Sequence, residues 1–448
     1  MQVTKTKSTP WRSLSTAAAA AALLAGAAVS TGVASASARA TTSARVAQAF
    51  GVNATGTVTF WARAATKAIP DALVKEFNAT HPHLKIVLHL TPNNEASSEL
   101  ATAIRAGTAP DLVGLNDINV PAFSKEGALL NVTKYVNALP YKSSLSPGHL
   151  KLASVGSKYY GVPYLADLSV LWYNPKLFKQ AGISGPPKTF AAMLQDAKKI
   201  TALGHGDYGL SFAGDCQGCL GFTMLPSIWA SGQHLVNGPL GKQSANIQHN
   251  APLKSLLTDY HQIWAGKMAP HADQAQNGST WGDDFAKGNV GMLPGDYGFV
   301  TNYLKSMPKS EFADAPLPGE NGGPGSTFDG GDDFVIPAGA SNPSGAWEVV
   351  KWFLARSQQQ QYPALGDTPI RSDILTPSFL AKYPYDAVAL HTLRYGSVEY
   401  TLAYNELFNA PGSPWDKMFN EAVYNGNVSG ALSSGQASFQ STLASVDS

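Results

Sequence analysis

Apolar and polar positions alternate with two different periods along the chain, and together these periods predict a regular succession of strands and helices. Residues 57–60 alternate polar and apolar, which predicts a strand that ends at Trp61. The pattern then continues with a helix opening at Pro70, a strand over 84–90, a helix over 99–106 and a strand over 112–115. This β-α-β-α-β order predicts parallel strands with helices on both faces of a sheet.

The same alternation resumes in the second half of the chain. Residues 168–173 form an almost continuous apolar run that predicts a buried strand, and a helix is expected over 190–203. A Pro-rich extended segment at 314–318 precedes a further strand over 334–337 and a helix over 343–355. About 400 residues follow the amino-terminal segment, too many for one hydrophobic core and enough for two lobes.

The amino terminus has the three parts of an export signal. Three basic residues occur in the first twelve, an Ala/Leu run at 17–29 is too short to span a bilayer, and small residues at 36–40 fit a cleavage site. We therefore expect residues 1–40 to be a signal peptide, residues 41–54 to be a flexible leader, and the protein to be exported. No cysteine stands at the cleavage site, so no lipid anchor is expected there.

Composition and missing motifs narrow the function. The formal net charge is +1 and only 14% of residues are charged, which argues against nucleic acid or an anionic membrane surface as partner. The sequence contains no Gly-x-Ser-x-Gly, no His-Glu-x-x-His and no phosphate-binding loop, and its ten histidines lack metal-ligand spacing. We expect no cofactor and no metal; the acidic segment 328–333 lacks the spacing of a calcium loop.

The chain has two cysteines, Cys216 and Cys219. Outside the cytoplasm the default expectation is a local disulfide. Cys-x-x-Cys is also the thioredoxin spacing, but that chemistry needs the first cysteine at the start of a helix that follows a strand. Gly214, Gly218 and Gly221 predict a loop here instead. A structural disulfide is therefore the interpretation, with a redox motif as the alternative.

Several segments together resemble the family 1 extracellular solute-binding proteins, the sugar-capturing subunits of ABC importers. They include Ala-Gly-Thr-Ala-Pro-Asp-Leu-Val at 106–113, Phe-Ala-Lys-Gly-Asn-Val-Gly-Met at 285–292, and the segments 77–87, 156–190 and 335–348. The resemblance implies a two-lobed, type II periplasmic-binding-protein-like α/β fold, maltose-binding-protein-like, with mainly parallel sheets, flanking helices and a multi-segment hinge. It also implies a monomer that binds a sugar or oligosaccharide between the lobes, catalyses nothing, and delivers the ligand to permease subunits.

The resemblance further implies three crossings between the lobes, near 156–190, 314–318 and 362–370. The expected N-terminal lobe comprises 55–165 and 317–365, and the expected C-terminal lobe comprises 166–316 and 366–448. Ligands of such sheets lie beyond the carboxyl ends of the strands, so candidate contacts are sought there.

Thirteen residues are candidate ligand contacts. They are Trp61, Asn116, Asp117, Tyr164, Asp167, Trp229, Trp281, Asp296, Tyr297, Gly330, Gly331, Asp332 and Arg371. Aromatic rings suit the C–H-rich face of a sugar, carboxylates accept hydroxyl hydrogen bonds, and glycines let backbone N–H groups approach a ligand. The resemblance places Asp167 at the hinge and Tyr297 where a ring stacks on the sugar. A core position is the alternative for each tryptophan, and a surface ion pair is the alternative for Arg371.

Two other functions remain open on the sequence alone. A secreted glycoside hydrolase would need two carboxylates about 5 to 9 Å apart, and Asp167 with Asp296 is the candidate pair. A cationic amine such as a polyamine would also suit acidic and aromatic contacts. The lack of an Arg/Lys cluster among the candidates favours a neutral sugar.

Overall fold

A computed structural model describes residues 54–92 and 95–447, and these residues belong to one compact unit. The predicted signal peptide (1–40) and the predicted leader, apart from Ala54, lie outside the described residues. Within the described part, none of the helices combines the length and the apolar character needed to cross a membrane.

The strands fall into two main sheets and two short hairpins. They are β1 (Gly56–Arg63), β2 (Leu84–Thr91), β3 (Leu112–Asn116), β4 (Ser154–Val155), β5 (Lys158–Tyr159), β6 (Gly161–Asp167), β7 (Ser169–Tyr173), β8 (Tyr208–Leu210), β9 (Val236–Asn237), β10 (Ser244–Ala245), β11 (Val290–Asp296), β12 (Ala313–Ala315), β13 (Gly330–Val335) and β14 (Thr368–Pro369). The large sheet has the order β14-β6-β13-β3-β1-β2, and the small sheet has the order β12-β7-β11-β8.

The large sheet contains the predicted β-α-β-α-β unit. Strand β1 pairs in parallel with both β2 and β3, because helices Ala68–Thr80 and Ala96–Ala106 carry the chain back between consecutive strands. Strand β13 then runs antiparallel between β3 and β6. Four of the six strands, β1, β2, β3 and β6, therefore point the same way.

The small sheet is mixed as well. Strand β11 pairs in parallel with β8 and antiparallel with β7, and β12 pairs antiparallel with β7 on the other side. Only Leu168 separates β6 of the large sheet from β7 of the small sheet. The chain returns to the large sheet between β12 and β13, near the predicted second crossing. A third crossing is expected near 362–370. Strand β14 lies there, and it still belongs to the large sheet because it pairs with β6.

Helices surround both sheets. The α-helices are Ala68–Thr80, Ala96–Ala106, Val120–Lys125, Thr133–Asn137, Pro147–Leu152, Pro175–Gln180, Phe190–Thr201, Gln217–Ala230, Ala251–Ala265, Asp283–Ala286, Val300–Ser306, Pro343–Phe353, Arg356–Gln359, Tyr362–Leu365, Pro377–Lys382, Asp386–Thr392, Pro414–Phe419 and Val428–Asp447. The C-terminal region that follows β14 is mainly helical. Its residues Trp415 and Phe439 pack with Tyr260 in one of the buried apolar clusters.

A second large cluster joins the cores of the two sheets. It contains Phe60 and Phe334 of the large sheet together with Trp172 of the small sheet, all nearly or fully buried. The indole Nε1 of Trp172 donates a hydrogen bond of 2.9 Å to the carbonyl oxygen of Asp296. The buried ring thus fixes the end of β11, where the chain approaches the site described below.

Asp111 holds the start of β3 to a distant turn. Its buried carboxylate accepts hydrogen bonds from Thr59 N (2.8 Å) and Thr59 Oγ1 (2.9 Å), and from Ser341 N (2.9 Å), Ser341 Oγ (2.8 Å) and Asn342 N (2.7 Å). Burial alone would raise the pKa of Asp111, but these hydrogen bonds outweigh it and lower the pKa below its ordinary value. The segments 106–113 and 335–348, both part of the family resemblance, therefore meet at one carboxylate.

We expect Asp111→Asn to lower the free energy of unfolding by about 2 to 4 kcal/mol at pH 7, because an amide cannot pair with five donors. A depressed pKa stabilises the fold above the ordinary value of about 3.9, and this contribution is lost as the pH falls through the lower folded value. Urea titrations from pH 7 to pH 3 should therefore show the difference from wild type shrinking below about pH 4.

The matched control is Asp71→Asn, an exposed acid in the first turn of helix Ala68–Thr80. It should change the free energy of unfolding by about 0.5 kcal/mol or less. An Asp111→Asn protein as stable as this control would contradict the role given to Asp111.

Candidate functional site

A cleft of about 780 Å³ opens at the carboxyl ends of the large-sheet strands. The register of the sheet brings its residues together: Asp332 of β13 lies opposite Asn116 of β3, and Gly330 lies opposite Asp167 of β6. Arg63, the last residue of β1, completes this wall. The position is the one expected for a ligand of an α/β sheet.

The opposite wall comes from segments that lie outside the large sheet. Helix Gln217–Ala230 contributes its first turn, and the segment 404–411 contributes polar and aromatic side chains. The lining residues from this side are Asp215, Cys216, Gln217, Gly218, Phe222, Asn277, Tyr404, Asn405, Asn409, Ala410 and Pro411. Phe328, which precedes β13, lines the cleft between the two walls.

Five of the thirteen predicted contacts line this cleft: Asn116, Asp117, Asp167, Gly330 and Gly331. Gly331 has a φ of +148°, and a Cβ atom there would come within 2.3 Å of the Leu165 carbonyl oxygen. Only glycine fits this close approach of β13 to β6.

Three predicted residues on the large sheet are not among the lining residues. The prediction that the first strand ends at Trp61 is wrong, because β1 continues to Arg63. Trp61 therefore lies within the strand, with its ring 5.2 Å from that of His89. Tyr164 is fully buried and stacks on Phe334 at 3.9 Å, and Asp332 is buried behind the wall.

Three predicted aromatic residues are also not among the lining residues. Trp229 is buried and donates from Nε1 to Glu399 (2.9 Å), and Trp281 packs edge-to-face on Phe299 at 5.0 Å. Tyr297 is 4% exposed and stacks on Trp172, with ring centroids 6.1 Å apart. These rings are part of the hydrophobic core in this structure.

Arg371 is held by its own segment. Its guanidinium donates to Asp373 at 2.6 Å and 2.9 Å and to the Leu354 carbonyl oxygen at 2.8 Å, and it lies over the ring of Tyr141. The ion pair that the sequence left open as an alternative is present, although Arg371 itself is buried.

Arg63 is a cleft-lining residue that the sequence reasoning missed. Its Nε donates to Asp332 Oδ1 at 2.7 Å, and its side chain is 13% exposed. Burial lowers the pKa of Arg63, but the charge of Asp332, the hydrogen bond to Asp332 and the charge of Asp167 together outweigh burial, and the net shift is upward. Arg63 was missed because the first strand was predicted to end two residues before it.

Asp167 and Asp296 are neighbouring carboxyl groups, and only Asp167 lines the cleft. Burial raises the pKa of Asp296 to about 6. Burial also raises the pKa of Asp167 well above its ordinary value, and the neighbouring Asp296 raises it further. Both groups therefore bind a proton more readily than free carboxyl groups do.

Asp117 lines the cleft, but its carboxyl oxygens are buried and have no hydrogen-bond partner among the described residues. Burial raises its pKa, and the nearby Asp333 and Asp332 raise it further. His149 Nε2 lies 4.0 Å from Asp117 Oδ2. Burial lowers the pKa of His149 to about 4, so this histidine is neutral at physiological pH.

Phe222 and Phe328 form a stacked pair on the cleft wall. Their ring centroids are 4.3 Å apart with an interplanar angle of 14°. Phe328 directly precedes the Asp-Gly-Gly segment that the sequence analysis placed at the cleft, which was the available signal for it. Phe222 lies in a helix whose residues are almost all apolar, so no sequence feature distinguished it from its buried neighbours.

A direct hydrogen bond joins the two walls. The Nδ2 of Asn405 donates to Oδ1 of Asn119 at 2.7 Å, and the Nδ2 of Asn119 donates to Ser97 Oγ at 3.0 Å. The same three residues also line a second cavity of about 320 Å³. The asparagine pair therefore lies where the cleft and this cavity meet.

The disulfide between Cys216 and Cys219 is present. The predicted loop around it is wrong, because helix Gln217–Ala230 begins immediately after Cys216 and includes Gly218 and Gly221. The apolar run from Cys219 to Trp229 outweighs the two glycines by being buried in the core. Among residues 54–92 and 95–447, no group of His, Cys, Asp and Glu side chains could hold a metal ion.

Residues 62–360 match a family model described as bacterial extracellular solute-binding protein. A multiple sugar-binding protein of Streptococcus mutans is 23% identical to this chain over 315 residues. The match covers 66% of this chain and 70% of the relative.

Two solved structures share the fold. The sugar-binding protein MalE from Xanthomonas citri superposes with a TM-score of 0.78 at 22% identity, covering 87% of this chain and 98% of its own. The GacH receptor of Streptomyces glaucescens, solved unliganded and with acarbose, has a TM-score of 0.73 at 22% identity, with the same coverage of both chains.

The raised pKa of Asp296 predicts a pH dependence of stability. An acid whose pKa is raised to about 6 in the folded state binds more protons when folded than when unfolded between about pH 4 and 6. Stability should therefore decrease as the pH rises through this window. Asp296→Asn mimics the protonated acid, so urea titrations at pH 4, 5, 6 and 7 should show it more stable than wild type at pH 7 by about 1 to 3 kcal/mol.

The control for this experiment is Asp283→Asn, which replaces an exposed acid nearby in the chain. It should follow the wild-type pH profile. If Asp296→Asn also keeps the wild-type profile between pH 4 and 6, folding does not raise the pKa of Asp296.

Proposed function

Because the chain belongs to the bacterial extracellular solute-binding protein family, we propose that it captures a sugar or oligosaccharide in the 780 Å³ cleft. The loaded protein then delivers this ligand to the permease subunits of an ABC importer. The protein acts outside the cytoplasm as a monomer. Relatives named for sugar binding, such as the multiple sugar-binding protein of Streptococcus mutans, support the proposal.

The observation that carries the proposal is the pairing of flat apolar rings with uncharged polar groups in one cleft. Phe222 and Phe328 offer ring surface, while Asn116, Asn409 and Asn277 offer amide groups on the surrounding walls. A sugar has a C–H-rich face that packs on such rings and a rim of hydroxyls that bonds to amides and carboxyls.

The state of the acidic groups favours a neutral sugar over a cationic amine. Asp332 is already paired with Arg63, and burial raises the pKa of Asp167 so that it binds a proton more readily than a free carboxyl group does. These acidic groups therefore present less negative charge to the cleft than the sequence alone indicates. Asp167 remains suited to a ligand hydroxyl, because a carboxyl group can accept hydrogen bonds and, when protonated, can also donate one.

The placement of Asp167 and Asp296 argues against hydrolysis of a glycosidic bond. Carboxyl groups that flank a scissile bond are about 5 Å or more apart, to leave room for the sugar or a water molecule. Of the candidate pair, only Asp167 lines the cleft, so Asp167 and Asp296 do not flank a ligand held there. We infer that the protein binds its ligand without catalysing a reaction, as the binding proteins of its family do.

Closure follows from the contact between the walls. A ligand in the cleft contacts both walls only when they are close together, so binding favours the closed arrangement. The Asn119–Asn405 hydrogen bond adds a direct link in that arrangement. The adjoining 320 Å³ cavity, which these residues also line, leaves room for a ligand longer than one sugar ring.

Isothermal titration calorimetry against maltotriose, mannotriose and diacetylchitobiose tests the proposal. At least one should bind, with an affinity that hardly changes between low and high ionic strength, because a neutral ligand has no charge to be screened. Phe222→Ala should weaken that binding by about tenfold through loss of ring stacking.

The matched control is Phe299→Ala, because Phe299 is also half-buried and also contacts Trp281 but does not line the cleft. It should leave the affinity within about twofold of wild type. An affinity for spermidine that falls steeply with salt, together with no sugar binding, would favour the amine alternative and contradict the proposal.

A further inference from the structure

The Cys216–Cys219 disulfide lies at the amino end of a helix, where a thiolate can be stabilised. Cys216 is the N-cap of the 14-residue helix Gln217–Ala230, and its Sγ accepts a hydrogen bond of 3.3 Å from the backbone N–H of Cys219. It comes after strand β8, so the first cysteine of a Cys-x-x-Cys stands at the start of a helix that follows a strand. This is the arrangement that the redox alternative requires.

The two sulfurs differ in access. Cys216 is half-buried and lines the cleft, whereas Cys219 is 9% exposed and faces the core. Gly278 passes over both: a Cβ atom there would come within 2.8 Å of Cys216 Sγ and 3.0 Å of Cys219 Sγ. Because Gly278 has no side chain, only backbone covers this side of the disulfide, and the cleft side of Cys216 remains open to a small reactant.

We propose that the Cys216–Cys219 disulfide is a thiol–disulfide exchange site that reacts with a dithiol entering the cleft. Partial positive charge at the amino end of the helix, together with the Cys219 N–H, stabilises a thiolate at Cys216. The exposed carboxylate of Asp215 is the neighbouring charge that opposes this effect. A disulfide that only braces a three-residue separation restricts a short loop and needs no sulfur on a cleft wall.

The exchange takes place in two displacement steps. A thiolate of the dithiol attacks Cys216 Sγ, a mixed disulfide forms, and Cys219 leaves as a thiolate that takes up a proton. The second thiol of the reagent then attacks its own sulfur in the mixed disulfide and expels Cys216 as the stabilised thiolate. Two electrons pass to the protein, and the dithiol becomes a cyclic disulfide.

Reduction should also alter the cleft. The disulfide fixes the first turn of the helix, which carries Gln217 and Gly218 on the cleft wall and, one turn later, Phe222. Without the cross-link, the first turn keeps its backbone hydrogen bonds and the Cys219 N–H to Cys216 Sγ bond, but it loses its covalent constraint. The reduced protein should therefore exchange the amide hydrogens of residues 217–222 faster than the oxidised protein.

The test uses the native full-length chain and needs no sugar. Dithiothreitol in excess, followed by iodoacetamide and mass spectrometry, should label both cysteines without denaturant. Hydrogen exchange on the same reduced sample should speed up in residues 217–222 and remain unchanged in helix Ala251–Ala265. Labelling that appears only after unfolding, or identical exchange in both forms, would overturn the proposal.

Two variants separate the roles of the sulfurs. Cys219→Ser leaves the Cys216 thiol, which should react with iodoacetamide about tenfold faster than the Cys219 thiol left in Cys216→Ser, because its thiolate form is favoured. Equal or reversed rates would contradict the assignment. Since thiol labelling and sugar titration are independent, failure of this proposal and failure of the sugar-binding proposal are distinguishable.

Discussion

The site depends on the insertion of β13 between β3 and β6. This strand comes from a distant part of the chain, yet it completes the large sheet and places Gly330, Gly331 and Asp332 beside Asn116 and Asp167. The insertion is possible because Gly331 lets the backbones approach, since any side chain there would collide with the Leu165 carbonyl group. Without β13 the carboxyl ends of the strands would form only part of a wall.

Charge is arranged around the same strand. Asp332 of β13 holds Arg63 at the end of β1, and burial beside β13 raises the pKa of Asp167. The ion pair and the raised pKa both reduce the negative charge near the cleft. This arrangement suits a neutral hydroxyl-bearing ligand better than an ion.

The sequence predicted the architecture better than the site. Strand-helix alternation sufficed for β1, β2 and β3. Asn116, predicted just past the end of a strand, and Asp167, taken from the family resemblance, both line the cleft at the carboxyl ends of strands. The role of each large aromatic residue was harder to predict, because such rings suit a hydrophobic core and a ligand site equally well. Trp229 lies in the core, whereas Phe222 lines the cleft. The helix start at Cys216 was missed because the nearby glycines favour a loop. The burial that stabilises the helix depends on the tertiary structure and is not visible in the local sequence.

A crystal structure of the protein with a bound trisaccharide that calorimetry has identified is the most direct test of the central claim. The account predicts a sugar ring against Phe222 and Phe328, with hydroxyl groups bonded to Asp167 and Asn116 and with contacts to both walls. A sugar bound elsewhere, or held by one wall while the cleft stays empty, would contradict it.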